Sequence, residues 1–242
     1  MLIINADDWG RSPADTDAIR DCYEAGRVSS ASAMVFMDDS ERAAEIANGR
    51  GMDVGLHLNF TEEFNGRCAA LTKSWQTRTR RFLNASKYAL LVYHPLLKRE
   101  FAELYRVQAE EFVRLYKKEP SHIDGHQHMH LSSNVLLNSL IPYGTKIRRG
   151  FSFWPGEKSG LNRRYRRLVD QILAKRYRLT DFFFALSQTL QGDRRERARN
   201  LAKEKNVELM THPRARQEFD FLMSDECRAF LQGLELKGYA SL

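Results

Sequence analysis

Carboxylate and imidazole side chains recur in this sequence at the ends of short apolar runs. They are Asp7, Asp8, His57, His126, His128, His130 and His212. Such side chains bind divalent cations, and histidine also exchanges protons near neutral pH. One aspartate with two histidines suits a catalytic metal site whose other coordination positions stay open for water and substrate. Each motif alone is a weak signal, because an aspartate after a strand is more often a turn or cap residue.

The histidines at 126, 128 and 130 are separated by single residues. If the chain is extended there, all three side chains lie on one face, and an i, i+2 pair of imidazoles can contact a metal. The alternative interpretation is a solvated polar end of a strand. The spacing alone does not decide between them.

Metal-assisted hydrolysis also needs a group that takes a proton from water and a group that protonates the leaving atom. Asp7 is adjacent to the candidate ligand Asp8. If their side chains diverge at the end of a strand, one can serve as a base and the other as a ligand. His212 is the candidate acid, because nearby cations and carboxylates can set the pKa of a histidine close to neutrality.

Strand and helix patterns alternate along most of the chain. The predicted strands are 2–6, 33–37, 52–60, 146–149, 181–186 and 207–210, with a strand-to-loop segment at 121–130. The predicted helices are 13–26, 40–47, 83–93, 97–116, 134–141, 164–175 and 194–205. This order predicts a parallel sheet or barrel with crossover helices. In such folds the functional side chains lie where strands end and loops begin, as the acids and histidines do here.

Length and composition predict one α/β domain over residues 1–242. Of the 242 residues, 43% are hydrophobic and 29% are charged, which allows a sizeable core. The sequence lacks both the roughly 18 consecutive apolar residues of a membrane span and the pattern of a signal peptide. We therefore expect a cytoplasmic protein. Three scattered cysteines argue against a disulfide framework and against a cysteine zinc site.

Two basic segments stand out in a chain whose net charge is +7. The first contains Arg67, Lys73, Arg78, Arg80, Arg81, Lys87, Lys98 and Arg99, and the second contains Arg163, Arg164, Arg166, Arg167, Lys175, Arg176 and Arg178. Solvated surfaces are the plain interpretation of both. The other interpretation is attraction to an anionic partner, such as a membrane surface, a phosphorylated or lipid-linked substrate, or nucleic acid.

Four motifs together resemble those of the YdjC-like carbohydrate deacetylases. They are NADDWG at 5–10, GLHLNFT at 55–61, HIDGHQHMH at 122–130 and ELMTHP at 208–213. They occur in that order and extend over most of the chain. The resemblance implies an irregular (β/α) barrel of mostly parallel strands and an enzyme that removes an N-acetyl group from an amino sugar.

The resemblance also implies roles for particular residues. Asp8, His57 and His126 would bind one divalent metal ion, Mg²⁺ or Zn²⁺. Asp7 would be the general base, and His212 the acid that protonates the departing amine. Further candidates for contacts to the ligands or the substrate are Asn59, Asp124, His128, His130 and Arg148.

Residues from about 66 to 100 interrupt the alternation and are expected to form a basic helical insertion. Its predicted apolar helix, 83–93, is flanked by arginine and lysine. Such a helix could lie on the inner face of a membrane and bring the barrel to a lipid-linked sugar. An ordinary buried helix is the alternative. The insertion has no recognised counterpart in the family, so the acceptor sugar stays open.

Two other functions compete with deacetylation. A metal phosphoesterase would suit acids and histidines in basic surroundings, but it would ordinarily bind two metals and need more ligands. A nucleic-acid-binding protein would use the arginine-rich segments with Trp75 and Tyr165. No nucleic-acid motif is present, and aspartates at strand ends would repel phosphate. We therefore expect no nucleic-acid partner.

Overall fold

The structure is a computed structural model, and it describes residues 1–154, 156–157 and 159–242. The side chains at 161, 163 and 165 also lie outside the described part. The predicted contributions of Arg163 to a basic face and of Tyr165 to an aromatic surface therefore fall outside it. Among the described residues, no helix combines the length and the apolar character needed to cross a membrane.

Parallel strands alternate with helices along the chain. The strands are β1 (Leu2–Trp9), β2 (Ser30–Ala33), β3 (Val54–Leu58), β4 (Ile123–Gly125), β5 (Phe182–Ala185) and β6 (Val207–Thr211). The helices are α1 (Pro13–Glu24), α2 (Ser40–Arg50), α3 (Ala70–Leu83), α4 (Lys98–Tyr116), α5 (Ser133–Leu137), α6 (Gly160–Ala174), α7 (Leu186–Thr189), α8 (Arg194–Ala202), α9 (Arg216–Leu222) and α10 (Asp225–Leu231). The described strands form one sheet in the order β4-β3-β2-β1-β6-β5. The expected α/β class with parallel strands is confirmed.

One compact unit consists of residues 1–7, 17–31 and 143–242. Within it β1 pairs in parallel with β6, so that Leu2 lies opposite Val207, and β6 pairs in parallel with β5. These strands are buried and apolar at most positions, as expected for a parallel sheet covered by helices. The few polar side chains that they bury therefore need partners within the unit.

The second compact unit consists of residues 8–16 and 32–142. Here β3 pairs in parallel with β4, and the register places His57 opposite Asp124. Helix α4 packs its apolar side on this unit through Phe101 and Phe112, which are fully buried. The aromatic ring of Phe101 lies 5.1 Å from that of Phe60, which follows β3. The prediction that residues 1–242 form a single domain stays a prediction.

The second strand occupies Ser30–Ala33, so the predicted strand at 33–37 is wrong. The sequence of β2 is SASA, and small side chains carry no apolar alternation even though all four are buried. The apolar run that follows forms a turn instead. The hydroxyl of Ser40 bonds the N–H of Met37 and the carbonyl of Met34, both at 2.9 Å, and Phe36 has a φ of 63°. Burial, not strand structure, explains the apolar run.

The insertion contains a helix, but not where the sequence predicted one. Helix α3 covers Ala70–Leu83, whereas the predicted apolar helix 83–93 is replaced by turns, with short 3-10 segments at Ala89–Leu91 and Pro95–Leu97. Helix α3 buries Trp75 and Leu83 on one side and leaves its basic residues on the other. The apolar residues after it are therefore not the interior of a helix, and several are exposed.

The predicted strand at 146–149 is also wrong. In its place Lys146 forms an isolated parallel bridge with Arg178. Polar side chains account for the difference. The amine of Lys146 donates hydrogen bonds to the carbonyls of Tyr239 and Ala240, and the side chain of Arg148 turns into the interior of its unit. Two backbone hydrogen bonds also hold the segment, from the N–H of Ile147 to the carbonyl of Arg178 and from the N–H of Arg178 to that of Thr145, both at 3.0 Å.

Candidate metal centre

Asp8 lies at the end of β1 in an unusual backbone conformation. Its φ is 70°, in the left-handed region that costs most residues other than glycine about 1–2 kcal/mol. The N–H of Arg11 donates to the carbonyl of Asp8 at 3.1 Å and closes the turn that follows. Aspartate tolerates this region better than most residues. Strained positions of this kind concentrate at functional sites, where the surrounding structure holds them in place.

His57 on β3 is held between two carboxylates. Its Nε2 lies 3.5 Å from Oδ1 of Asp8, and its Nδ1 lies 2.8 Å from Oδ1 of Asp124. The parallel register that places His57 opposite Asp124 creates the second contact. A carboxylate behind one ring nitrogen fixes the orientation of the ring and makes the other nitrogen a better metal ligand.

Asp124 is itself held in place by a buried chain of polar groups. The hydroxyl of Ser32 donates to Oδ2 of Asp124 at 2.8 Å and lies 3.0 Å from Nε2 of His122. The ring of His122 occupies space beside Gly55, where an added Cβ would come within 2.3 Å of it. A glycine at position 55 is therefore needed for His122 to stay where it is.

His126 follows β4 and also contacts two carboxylates. Its Nδ1 lies 3.2 Å from Oδ1 of Asp8, and its Nε2 lies 3.2 Å from Oε2 of Glu62. Glu62 in turn accepts a hydrogen bond from Nε of Arg11 at 2.9 Å. The oxygen of the Asn59 side chain accepts from the N–H of Glu62 at 2.8 Å. In the structure Asn59 thus shapes the loop that carries Glu62.

The three histidines of the histidine-rich motif do not lie on an extended strand. Residues 126–131 form a short 3-10 segment interrupted by Gln127 and His128, whose φ values are 53° and 60°. The rings of His128 and His130 lie 6.4 Å apart, whereas His126 contacts Asp8. His130 is buried, and its backbone nitrogen packs against Gly125, where a Cβ would meet it at 2.8 Å. Because the segment is not extended, the condition for one shared face is not met.

The charges around His126 favour a cation. Burial lowers the pKa of His126, but the hydrogen bonds to Asp8 and Glu62 outweigh it and raise the pKa to about 9. The hydrogen bond to His126, opposed by burial and aided by Arg11, lowers the pKa of Glu62. The carboxylates therefore stabilise positive charge at this position, as the ligands of a metal cation must.

The residues fit a divalent metal ion. Asp8, His57 and His126 each offer one ligand atom, and these atoms all lie within 4.8 Å of one another. One carboxylate oxygen and two imidazole nitrogens form a common set for a catalytic zinc or related ion, with positions left for water and substrate. Both histidines have a carboxylate behind the second ring nitrogen, which strengthens the fit.

Asp7 belongs to the other compact unit and has a different partner. Arg148 donates to both its oxygens, from Nη1 to Oδ2 at 2.7 Å and from Nη2 to Oδ1 at 2.6 Å. The amide of Asn5 adds a hydrogen bond to Oδ1 at 2.9 Å. Asp7 and Arg148 are both buried. A bidentate ion pair of this kind fixes the plane of the carboxylate and supplies a permanent positive charge beside it.

The arginine that holds Asp7 is shared with a second acid. Nε of Arg148 donates to Oε1 of Glu208 at 2.7 Å, and the hydroxyl of Tyr239 donates to Oε2 of the same carboxylate. The guanidinium also lies over the ring of Phe183, 5.0 Å from its centre. Each nitrogen of this buried cation donates to one of the two carboxylates, so the unit carries two negative groups around one positive group.

His212 lies close to Asp7 at the end of β6. Its Nε2 is 4.0 Å from Oδ2 of Asp7, and its imidazole is partly exposed. Its backbone N–H donates to Glu218 at 2.7 Å, and Glu218 also accepts from the hydroxyl of Thr211. These bonds orient the turn after β6. They place an imidazole and a carboxylate side by side, as proton transfer between water and a leaving group requires.

The sequence did not indicate every residue of these two clusters. Sequence reasoning missed Arg11, Ser32, Glu62, Glu208 and Tyr239. A signal existed for Glu208, because a charged residue inside a buried apolar strand needs a partner. Glu62 directly follows one of the family motifs. The sequence carries no comparable signal for Tyr239, whose contact depends on how the end of the chain folds back.

Comparison with known families gives a match over nearly the whole chain. A family profile described as YdjC-like protein matches residues 1–233. A carbohydrate deacetylase of Mus musculus is 31% identical over 154 residues, which are 61% of this chain and 49% of that protein. A chitooligosaccharide deacetylase of Serratia marcescens is 31% identical over 143 residues, 56% of this chain and 52% of that protein. A carbohydrate deacetylase of Halalkalibacterium halodurans is 32% identical over 160 residues, with coverages of 62% and 64%.

The aligned region spans about half the length of most of these curated relatives. Among solved structures, a crystal structure from Enterococcus faecalis, provisionally described as a cellobiose-phosphate cleavage protein, superposes with a TM-score of 0.68. The superposition covers 99% of this chain and 97% of the other, at 19% sequence identity. At that identity the likeness shows the fold, and it confirms the expected irregular α/β barrel class.

Proposed function

The chain belongs to the YdjC-like protein family, and from this premise we propose that it is a metal-dependent hydrolase that removes an N-acetyl group from an amino sugar. One observation carries the proposal. Ligand atoms of Asp8, His57 and His126 lie within 4.8 Å of one another, at the positions that the family resemblance gives to the metal ligands. The relatives named as carbohydrate and chitooligosaccharide deacetylases support the substrate class.

Asp8, His57 and His126 would hold one divalent ion. When bound, such an ion polarises a carbonyl group and lowers the pKa of water towards neutrality. Two imidazole ligands favour Zn²⁺, although Mg²⁺ remains the other candidate because availability also decides occupancy. Asp124 and Glu62 keep the rings of His57 and His126 in place by their hydrogen bonds.

Asp7 is the proposed general base. It directly precedes the proposed ligand Asp8, so the two carboxylates belong to consecutive residues. Arg148 fixes the plane of the Asp7 carboxylate. Asp7 takes a proton from the water molecule whose oxygen attacks the acetyl carbon.

His212 is the proposed general acid. Its imidazole is partly exposed, so a sugar amide can approach it, and its Nε2 lies 4.0 Å from the carboxylate of Asp7. His212 gives a proton to the sugar nitrogen as the C–N bond breaks. Water thus supplies the new oxygen, acetate leaves, and the sugar keeps a free amine. The substrate belongs to the class of N-acetylated amino sugars on an oligosaccharide, glycan or lipid.

Acetate release from a panel of N-acetylated sugars tests the proposal. The panel includes free chito-oligosaccharides and lipid-linked amino sugars, each with and without a chelator. We expect chelator-sensitive release from at least one member and restoration by added Zn²⁺ or Mg²⁺. Release that persists unchanged after full removal of metal contradicts the proposal.

Metal stoichiometry separates the deacetylase from the phosphoesterase considered above. One metal per chain is expected if Asp8, His57 and His126 are the ligands. Two metals per chain, together with hydrolysis of phosphate esters, would favour the phosphoesterase. The expectation of a cytoplasmic location stays a prediction.

A further inference from the structure

The tip of the insertion exposes large apolar side chains. We define the tip by Tyr88, Leu91, Val92, Tyr93, Leu96 and Leu137. Leu96 is 83% exposed, and Tyr88, Leu91 and Val92 are each more than half exposed. Single exposed apolar residues are ordinary, but a cluster of such residues on a protein surface marks a site of interaction.

The tip is held in a defined conformation. The side chain of Asn134 on α5 accepts a hydrogen bond from the N–H of His94 and donates one to its carbonyl, both at 2.9 Å. The ring of Phe82 packs edge-on against that of His94 at 4.9 Å. The hydroxyl of Tyr93 donates to Asn138. The apolar side chains are therefore presented by a braced turn.

Unpaired positive charges surround the tip. Arg81, Lys87, Lys98 and Arg99 are exposed, and none forms an ion pair within the described part of the chain. No acidic residue lies between Glu63 and Glu100. Both of these acids are already engaged, Glu63 with Arg80 and Glu100 with Arg78. The charged side chains of residues 64–99, which include most of the tip, are thus all basic.

From the apolar tip and its basic surroundings we propose that residues 87–99, with Leu137, dock the protein on an anionic lipid surface. Apolar side chains enter the boundary between headgroups and acyl chains, while lysine and arginine attract anionic headgroups. A second copy of the chain fits this surface less well. Pairing two tips across a symmetric interface would bring four like charges of each copy together.

The docking surface is connected to the proposed metal centre through one stretch of chain. His126 begins the 3-10 segment 126–131, and α5 starts two residues after that segment ends. Asn134 on α5 carries the bonds that hold the tip. Docking of the tip would therefore bring α5, which belongs to the same compact unit as His126, near the lipid surface. This placement suits a substrate whose amino sugar is carried on a lipid.

Vesicle co-sedimentation of the full chain tests docking without any substrate. The vesicles contain phosphatidylcholine alone or phosphatidylcholine with phosphatidylglycerol. We expect binding to the anionic vesicles at low salt, little binding to the neutral ones, and weaker binding as salt rises. Because no turnover is measured, a failure here leaves the proposed deacetylase activity untouched, and a failure of that activity leaves docking untouched.

Two variants with matched controls separate the apolar from the electrostatic contribution. Leu96→Ser is expected to lower the fraction bound several-fold, whereas Met223→Ser, which also replaces an exposed apolar side chain, binds as the wild type does. Lys98→Gln with Arg99→Gln is expected to weaken binding to anionic vesicles, whereas Lys203→Gln with Lys205→Gln, an equal loss of charge, changes it little.

Three results would overturn the proposal. They are no binding to anionic vesicles at low salt, equal binding to neutral and anionic vesicles, and wild-type binding by Leu96→Ser. Concentration-dependent dimerisation that Leu96→Ser abolishes, without vesicle binding, would assign the tip to a second copy of the chain instead.

Discussion

Two consecutive aspartates at the end of β1 have opposite surroundings. Asp7 forms a bidentate ion pair with Arg148, which is fully buried. Asp8 lies near the imidazoles of His57 and His126. Asp8 also contacts an arginine, Arg11, but through a single 3.3 Å contact to a side chain that is 37% exposed. Solvent therefore screens the ion pair of Asp8 with Arg11, but it does not screen the buried ion pair of Asp7 with Arg148.

The difference shows how one strand end can supply two kinds of carboxylate. A guanidinium is always charged, so Asp7 keeps a fixed counter-ion and a fixed orientation. An imidazole can be neutral, so Asp8 with its two histidines leaves negative charge that a metal ion can neutralise. Asp8 also has a left-handed backbone conformation, with a φ of 70°. Variants of the two aspartates and of their partners test this difference.

The largest expected effect concerns turnover. Asp7→Asn should lower the rate of acetate release by about 10²–10⁴-fold, because the amide cannot take a proton from water. The control is Asp38→Asn, the same change at an exposed aspartate outside both clusters. It should lose far less activity. An Asp7→Asn variant that releases acetate near the wild-type rate would exclude Asp7 as the general base.

Stability should distinguish the two arginines. Arg148→Met leaves Asp7 and Glu208 buried without their shared cation and should lower the free energy of unfolding by about 3–5 kcal/mol. Arg11→Met removes an exposed partner and should cost no more than about 1 kcal/mol. Urea denaturation of both variants measures the difference. Equal losses would show that Asp7 and Asp8 do not differ in their dependence on arginine.

Metal affinity should depend on the carboxylate behind His126. Glu62→Gln should weaken metal binding by about 10–100-fold, as is typical when the partner of a ligating histidine is lost. Glu63→Gln is the matched control, because Glu63 is the next residue and pairs only with Arg80 among its described contacts. Competition with a metal-sensitive dye measures both affinities. Similar affinities for the two variants would exclude a positioning role for Glu62.

The smallest expected effect is a pH dependence of stability in the metal-free protein. The pKa of His126 is raised from 6.5 to about 9, so the folded chain holds a proton that the unfolded chain releases. The stabilisation from His126 is complete below pH 6.5 and is lost as the pH rises through about 9. Relative to His126→Gln, the wild type should therefore lose stability over this range in urea denaturation. A difference that stays constant with pH would contradict the raised pKa.

Much of the fold follows from the sequence because periodicity reports burial. Helix α4 and strands β5 and β6 lie close to their predicted positions, since each has a clear apolar pattern. Strand β2 escaped prediction because its serines and alanines are buried without such a pattern. The apolar run after Leu83 misled for the opposite reason, because exposed apolar residues look the same in a sequence as buried ones.

The candidate site was predictable in part for a similar reason. Motif resemblance indicated Asp8, His57 and His126, and the structure brings these three together. Local spacing could not indicate the left-handed turn at Gln127 and His128, which depends on backbone angles. Contacts between residues distant in sequence, such as that of Tyr239 with Glu208, arise only from tertiary structure and lay beyond the reach of the sequence.

Metal content is the most direct test of the difference between the two aspartates. Asp7→Asn and Asp8→Asn are isosteric changes at consecutive positions, and each removes one negative charge. After equilibration with Zn²⁺ and removal of free metal, elemental analysis should find about one ion per chain in the wild type and in Asp7→Asn, and little in Asp8→Asn. Full metal content in Asp8→Asn, or equal loss from both variants, would contradict the assignment of Asp8 as ligand and Asp7 as base.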